Sequence, residues 1–188
     1  MGGVSKAVEV GIRRSKKFVR YNEGNLSLER VSMTKTNAVR LIEQAGISHR
    51  CTEYAFDEND LNGMHAAEAI GMPPEQVFKT LVARNEKGNL FVFCIPVCCS
   101  LDLKKAAKAT GSKKIEMISV KELLPLTGYI RGGCSPIGMK KRYPTWIDET
   151  ASLYNEIAVS AGVRGQQIIL FPDDLINYAE MTLCDLTE

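Results

Sequence analysis

One lysine and one glycine-rich loop are the features of this chain whose types and spacing could do chemistry. Lys79 lies in the run Val77-Phe78-Lys79-Thr80-Leu81-Val82-Ala83. A strand alternates faces with a period of two, so Val77, Leu81 and Ala83 share a face with Lys79. The opposite set, Phe78, Thr80 and Val82, also leans apolar. A strand apolar on both faces is central and buried, and an ammonium there is desolvated unless an anion or a pocket receives it. Two readings stand: a lysine that snorkels to an edge, and a lysine at a functional site. The loop is Arg131-Gly132-Gly133-Cys134-Ser135-Pro136-Ile137-Gly138. Its glycines let backbone approach a ligand closely and aim N–H groups at an oxygen that gains charge; a tight loop without chemistry is the alternative. Cys134 has no histidine near it in sequence to activate a thiolate, which argues against a nucleophile.

Basic residues form a third feature. Lys104, Lys105, Lys108, Lys113 and Lys114 read as a solvated helix face, whereas Lys140-Lys141-Arg142 follow the glycine loop directly, where a phosphate would lie near any ligand. No P-loop, dinucleotide fingerprint, Ser-His-Asp set or RRM motif is visible. The 188 residues are 45% hydrophobic and 24% charged, with a net charge of +2, the mix of one ordinary globular domain. The most apolar run, Leu90 to Cys99, is far shorter than the roughly 20 residues of a membrane span. The basic N-terminus lacks the apolar stretch of a secretory signal. Six cysteines, Cys51, Cys94, Cys98, Cys99, Cys134 and Cys184, form no CxxC pair. They are expected to be reduced and mostly buried in a cytoplasmic protein, with no metal and no cofactor.

The elements that must hold these residues follow from pattern. Residues 1–32 carry seven basic side chains against three acidic ones, which leaves 17 against 19 for the rest. This segment reads as a basic arm for RNA phosphates, as a strand and turn added to the domain, or as a leader from an upstream start codon, because Met33 opens a natural-looking N-terminus. The domain is then 33–188. Thr36 caps a helix that Gly46 ends. Strands are expected over 51–56, 77–83, 90–97, 145–147, 157–159, 168–171 and 181–183. Helices are expected over 62–70, 102–110 and 172–179, with a further short one opened by Ser119 and Glu122 and followed by Pro125. The alternation gives a mixed α/β domain whose sheet is not purely parallel.

Several ordered segments resemble the YbaK family of aminoacyl-tRNA deacylases. They are Glu75-Gln76-Val77-Phe78-Lys79-Thr80-Leu81, Leu101-Asp102-Leu103-Lys104-Lys105, Thr127-Gly128-Tyr129, Gly132 to Gly138 with the following Lys140-Lys141-Arg142, and Ser160-Ala161-Gly162-Val163-Arg164-Gly165. The resemblance runs from about Met33 to the C-terminus. It implies a single α+β domain with a curved, barrel-like mixed sheet flanked by helices. It implies hydrolytic editing of cysteine mischarged on proline tRNA, Cys-tRNA(Pro), with Cys-tRNA(Cys) also accepted. A small pocket discriminates weakly between near-isosteres, so a second site corrects the error. The family mechanism is substrate-assisted: the cysteine thiol attacks its own ester, and no protein nucleophile is needed.

By the same resemblance Lys79 is the catalytic cation, and Tyr54, Thr80, Gly132, Gly133, Ser135, Pro136, Ser160 and Gly165 bind substrate. Four positions depart from the family pattern. Cys134 stands where an apolar residue is common, Asn62 where a pocket phenylalanine can stand, Gln167 where some members have aspartate, and Val163 where a lysine is usual. Two other functions stay open, editing of Ala-tRNA(Pro) and a module that binds aminoacyl-tRNA or a nucleotide without turnover. The near-neutral domain favours a transient ternary complex with prolyl-tRNA synthetase over tight tRNA binding alone.

Overall fold

The computed structural model describes residues 35–57 and 61–188, and of the first 34 residues only the backbone of 7–10 and 17–20. The chain falls into two units, 1–34 and 35–188. In the first, β1 (Ala7–Val10) and β2 (Lys17–Arg20) form an antiparallel hairpin with Val8 opposite Val19. Its basic side chains, and with them the expected phosphate-binding arm, lie outside the described residues.

Among the described residues the second unit holds five α-helices: α1 (Asn37–Gln44), α2 (Gly63–Ile70), α3 (Leu103–Ala109), α4 (Val120–Thr127) and α5 (Pro172–Ala179). Eight strands form one mixed sheet: β3 (His49–Glu53), β4 (Val77–Asn85), β5 (Leu90–Pro96), β6 (Ile115–Met117), β7 (Thr145–Asp148), β8 (Ile157–Ser160), β9 (Gln166–Leu170) and β10 (Thr182–Cys184). The order is β10-β7-β5-β4-β8-β9-β3, with β6 also paired to β4. The β10–β7, β7–β5 and β4–β8 pairs are parallel and the others antiparallel. The mixed α/β domain expected from the alternation of patterns is the one observed.

Caps place the helices. The Thr36 hydroxyl accepts from Val39 N at 3.2 Å and the Asp102 carboxylate from Lys104 N at 2.7 Å, which satisfies N–H groups that have no partner inside the helix. Pro125 departs from expectation: it sits inside α4 rather than after it. Its missing N–H would have bonded the carbonyl of Lys121, an exposed residue whose carbonyl water can serve. The final carbonyls of α4 are taken by side chains, with Thr127 Oγ1 on Leu123 O at 2.7 Å and Tyr143 OH on Leu126 O at 2.8 Å. The strand expected over 51–56 is β3, two residues earlier at its start and three at its end. Its partner β9 begins only after Gly165, whose φ of 77° turns the chain, so Tyr54 keeps a single bond to Gly165 O at 2.8 Å.

The sheet buries both faces. On one, Phe78 and Val82 of β4 join Val92 and Cys94 of β5 under α1 and α5. On the other, two separate clusters form. Val77 packs with Val97 and Ala67 of α2, while Ala83 packs with Phe91, Phe93, Ile95 and Ala106 of α3. Lys79 lies on this second face, between the clusters. The six cysteines are free, but only Cys94 and Cys134 are buried, and Cys98 is exposed. The expectation of mostly buried thiols fails because Cys98 and Cys99 lie past the end of β5, in the turn that leaves the sheet.

The capping box of α4 yields a stability test. The Glu122 carboxylate accepts from the Ser119 hydroxyl at 2.8 Å and the Ser119 N–H at 3.0 Å, and pairs with Arg84. Led by the Ser119 hydroxyl bond, these contacts hold its carboxyl down at about 2, against an ordinary 4.5. A depressed carboxyl adds stability that is complete above 4.5 and is lost as pH falls toward about 2. Glu122→Gln keeps a capping amide and loses the charge. Its stability deficit, read as a denaturant midpoint, is therefore expected near neutrality and should vanish between pH 4.5 and about 2.

Candidate active site

A break in the sheet makes the site. One edge of β4 pairs along its length with β5. The other edge is shared: β8 pairs with Val77 and Phe78, and β6 with Ala83 to Asn85. Among the described residues no strand stands opposite the stretch between. Val82 O accepts from Ile118 N on that edge at 3.2 Å, and backbone direction alternates along a strand, so the Thr80 N–H and C=O face the same gap. A cavity of about 610 Å³ occupies this region. Residues 77–82 line it, with Val97, the segment 117–120, Asn62, Gly63, His65 and Ala66 at the start of α2, Tyr54 and Phe56 after β3, and the loops that carry Arg131, Gly132, Cys134, Arg164 and Gly165.

Lys79 is half-buried, and its ammonium donates to Val97 O at 3.2 Å and Cys99 O at 2.7 Å. An ammonium has three N–H donors, so one remains for a ligand. Burial lowers its pKa from the ordinary 10.5, and the Cys99 and Cys98 thiols nearby oppose that shift. The strand parity that singled out Lys79 thus leads to a lysine in a pocket rather than one that snorkels to an edge.

The two loops of the opposite wall pack backbone to backbone. A Cβ on Gly133 would lie 3.0 Å from the Val163 carbonyl carbon and 3.1 Å from Arg164 N. Arg164 Nε donates to Arg131 O at 3.0 Å across the same seam. A Cβ on Gly162 would meet the Tyr129 ring at 2.8 Å, and that ring is fixed by Tyr129 OH donating to Ile137 O at 2.5 Å. Ser135 and Ser160 shape the loops from within: each Oγ accepts a backbone N–H two residues on, from Ile137 and Gly162, at 3.2 Å. Of the residues the resemblance assigned to substrate, Tyr54, Thr80, Gly132 and Gly165 join Lys79 in the lining. Gly133, Ser135, Pro136 and Ser160 are not in the lining, and Ser135 is fully buried.

Of the other lining groups, His65 was not assigned to the site from the sequence, whereas Gln167 and Cys134 were noted there as departures from the family pattern. His65 stands on the cavity side of α2, edge-on to Tyr54 at 6.5 Å between centroids. Its place at the open end of a helix whose other face packs on Val77 is the signal that could have found it. Gln167 Nε2 lies 3.4 Å from Tyr54 OH, and Gln167 Oε1 is buried with no partner among the described residues. Whichever way that amide is turned, one end meets the tyrosine and the other remains for a ligand. Burial pushes the Cys134 thiol up to about 12, so the cavity's one cysteine is a poor nucleophile near neutrality. Among the described residues no three His, Cys, Asp or Glu side chains gather as a metal site requires.

Comparison with known proteins gives three matches of weight. The family model described as "Aminoacyl-tRNA editing domain" matches residues 64–178, more than half of the chain. An Enterococcus faecalis protein named "Putative Cys-tRNA(Pro)/Cys-tRNA(Cys) deacylase EbsC" is 46% identical over 153 residues, 81% of this chain and 93% of its own length. Among solved structures, one described as "Crystal structure of a putative trans-editing enzyme for prolyl tRNA synthetase" superposes with a TM-score of 0.71 at 26% identity. That match covers 82% of this chain and 99% of the other.

Gly165 carries the prediction of this geometry. At its φ of 77°, a Cβ would lie 2.7 Å from Tyr54 O and 2.8 Å from the Phe56 ring. Gly165→Ala must push the segment after β3 away, with an expected loss of about 1–3 kcal/mol in a urea melt, as for other overpacked sites. The same change at Gly88, where a Cβ would meet nothing within 4 Å, should cost less.

Proposed function

The chain belongs to the aminoacyl-tRNA editing domain family, and from that premise we propose that it removes cysteine from mischarged Cys-tRNA(Pro), and from Cys-tRNA(Cys), as a free-standing deacylase. The names carried by the Enterococcus relative and by the trans-editing structure support this substrate class. The observation that carries the reading is the Lys79 ammonium, held by two carbonyls at the cavity wall with one N–H to spare.

The reaction is substrate-assisted. The spare N–H of Lys79 meets the ester carbonyl oxygen and steadies the negative charge that develops there. The substrate thiol loses its proton and its sulfur bonds to the carbonyl carbon. As the tetrahedral intermediate collapses, the bond from that carbon to the ribose oxygen breaks, and the oxygen takes up a proton. The small cyclic thioester that leaves opens with water to free cysteine. Cys134 plays no part, in keeping with its raised pKa. Tyr54, Thr80, Gly132 and Gly165 contact the aminoacyl end, while Gly133, Ser135, Pro136 and Ser160 hold the two loops in register behind it. Arg131 and Arg164, both in the lining, face the terminal phosphate of the acceptor strand.

Residues 33–188 carry this activity and 1–32 are an extension to it. With 17 basic residues against 19 acidic ones, this domain neutralises few phosphates, and affinity for tRNA scales with that number. It acts in a transient ternary complex with prolyl-tRNA synthetase. Nanomolar tRNA binding at physiological salt without the synthetase would contradict this.

The decisive assay follows ester loss from Cys-tRNA(Pro) beside Ala-tRNA(Pro). Wild-type protein should release cysteine quickly and leave alanine bound, and Lys79→Ala should cost about 10²–10³-fold in rate. Rapid release of alanine, or unchanged turnover in the variant, would overturn the mechanism; RNA binding without turnover would leave a binding module. The charged lysine is the working form, and burial lowers its pKa. Beyond the range in which the substrate thiol ionises, activity corrected for spontaneous ester decay should therefore fall as pH rises further, with the midpoint of this falling limb below the ordinary 10.5.

A further inference from the structure

The two acceptors of the Lys79 ammonium belong to Val97 and Cys99, in the turn that leaves β5. That turn carries two adjacent thiols, Cys98 and Cys99, whose Sγ atoms lie 3.7 Å apart. Cys98 is exposed and Cys99 half-buried, and the proposed reaction uses neither. We propose that Cys98 and Cys99 form a reversible oxidation site, a vicinal dithiol that peroxide closes to a disulfide, and that closure draws the Cys99 carbonyl away from the Lys79 ammonium.

The chemistry balances with hydrogen peroxide as oxidant. One thiol takes an oxygen atom to give a sulfenic acid and releases water. The second thiol attacks that sulfur, forms the S–S bond and releases a second water. The two sulfurs together give up two electrons, which the peroxide O–O bond accepts. Cys98, the exposed partner, is oxidised first. Partial burial raises its pKa, so the step is slower than at a dedicated peroxide sensor.

Geometry links the sulfurs to the lysine. The sulfurs must close from 3.7 Å to about 2.05 Å. The ring so formed contains the Cys98 ψ and Cys99 φ torsions, so closure resets both. The Cys99 carbonyl hangs on Cys99 Cα and swings with them. The turn bond from Cys99 N to Pro96 O, now 3.1 Å, is disturbed as well. Val97 stays in place through its N–H on Val77 O at 2.8 Å, so Lys79 loses its shorter acceptor and keeps its longer one. Downstream the chain is held where Ser100 O accepts from Glu188 N at 3.3 Å, so the turn between absorbs the change. Adjacent residues have Cα atoms about 3.8 Å apart, below the roughly 4.4 Å minimum of ordinary disulfides. Such a strained and exposed bond is readily reduced, as a reversible site requires.

The effect on turnover rests on the proposed role of Lys79; the oxidation does not. The test treats the full chain with hydrogen peroxide, removes the oxidant with catalase, blocks free thiols and maps the peptide that carries Cys98 and Cys99 by mass spectrometry. Two readouts follow: deacylation of Cys-tRNA(Pro), and the rate at which an acetylating reagent labels Lys79 relative to exposed lysines. The expected result is a peptide lighter by two hydrogens with neither thiol blocked. Turnover should fall about a hundred-fold, the scale of a misplaced catalytic group. Lys79 labelling should change severalfold, and dithiothreitol should reverse both. Cys98→Ser should turn over like wild type and be indifferent to peroxide. Thiols that remain individually blockable, oxidation to sulfinic acid without a disulfide, or a disulfide that leaves Lys79 labelling unchanged would each overturn the proposal. If the reduced wild type proves inert on aminoacyl-tRNA, the functional reading falls, and the labelling readout alone decides the oxidation site.

Discussion

The structure depends on keeping an ammonium charged on a central strand. Moving Lys79 out of water disfavours its cation, and the lowered pKa records that cost. Two carbonyl acceptors offset it, and a hydrogen bond to a charged group contributes about 1.5–3 kcal/mol. Among the described residues no carboxylate pairs with it; its two acceptors are neutral carbonyl oxygens. That choice matters chemically. A salt-bridged ammonium would already have spent its field on its partner, whereas one held by carbonyls keeps its positive charge for a substrate oxygen.

The neighbouring architecture follows from that need for access. A central strand normally has both edges filled, which would wall the lysine in. Here β8 leaves β4 after Phe78 and β6 joins it only at Ala83, so the strand is paired at both ends and open in the middle. The second face repeats the device: its apolar packing divides into one cluster around Val77 and another around Ala83, with Lys79 between. Two loops then close the opposite wall, and they can approach only because glycines stand at the contacts. The seam at Gly133 leaves no room for a side chain, since a Cβ would press on the backbone of Val163 and Arg164. Loop glycines and serines outside the cavity lining are thereby as much a part of the wall as those within it.

Much of this was legible in the residues. Helix ends were marked by Thr36 and Gly46 around the first helix and by the Ser119–Glu122 pair at the start of the fourth, because capping and left-handed turns are local events. Lys79 was legible because strand parity is strict. What could not be read depends on contacts remote in sequence. β6 is three residues long and exists because β4 offers it an edge. β3 slid by two residues because its register is set by β9 and the turn at Gly165. Ser135 and Ser160, assigned to substrate by resemblance, are a local case: both hydroxyls accept backbone N–H groups two residues on within their own turns. The lysine's acceptors at Val97 and Cys99 were invisible, since a backbone carbonyl carries no residue signature.

The form of the cavity bears on how an editing site could tell cysteine from its neighbours in size. At about 610 Å³, and lined by Val77, Val97, Tyr54 and Phe56 beside polar groups, it has room for far more than one small amino acid. Shape alone would separate cysteine from alanine or proline poorly, because one methylene in an apolar pocket is worth only about 1–3 kcal/mol. A positioned cation with no activated protein nucleophile solves the problem differently. In the proposed mechanism the Lys79 N–H can polarise any ester carbonyl, but the reaction would advance only if the substrate brings its own attacking atom. On that mechanism selectivity would rest in the substrate thiol. The wall needs only to hold the ester against the ammonium and exclude the water that would attack every aminoacyl ester alike. An unpaired amide end at Gln167 and the Thr80 backbone, turned toward the sheet gap, are suited to that holding task.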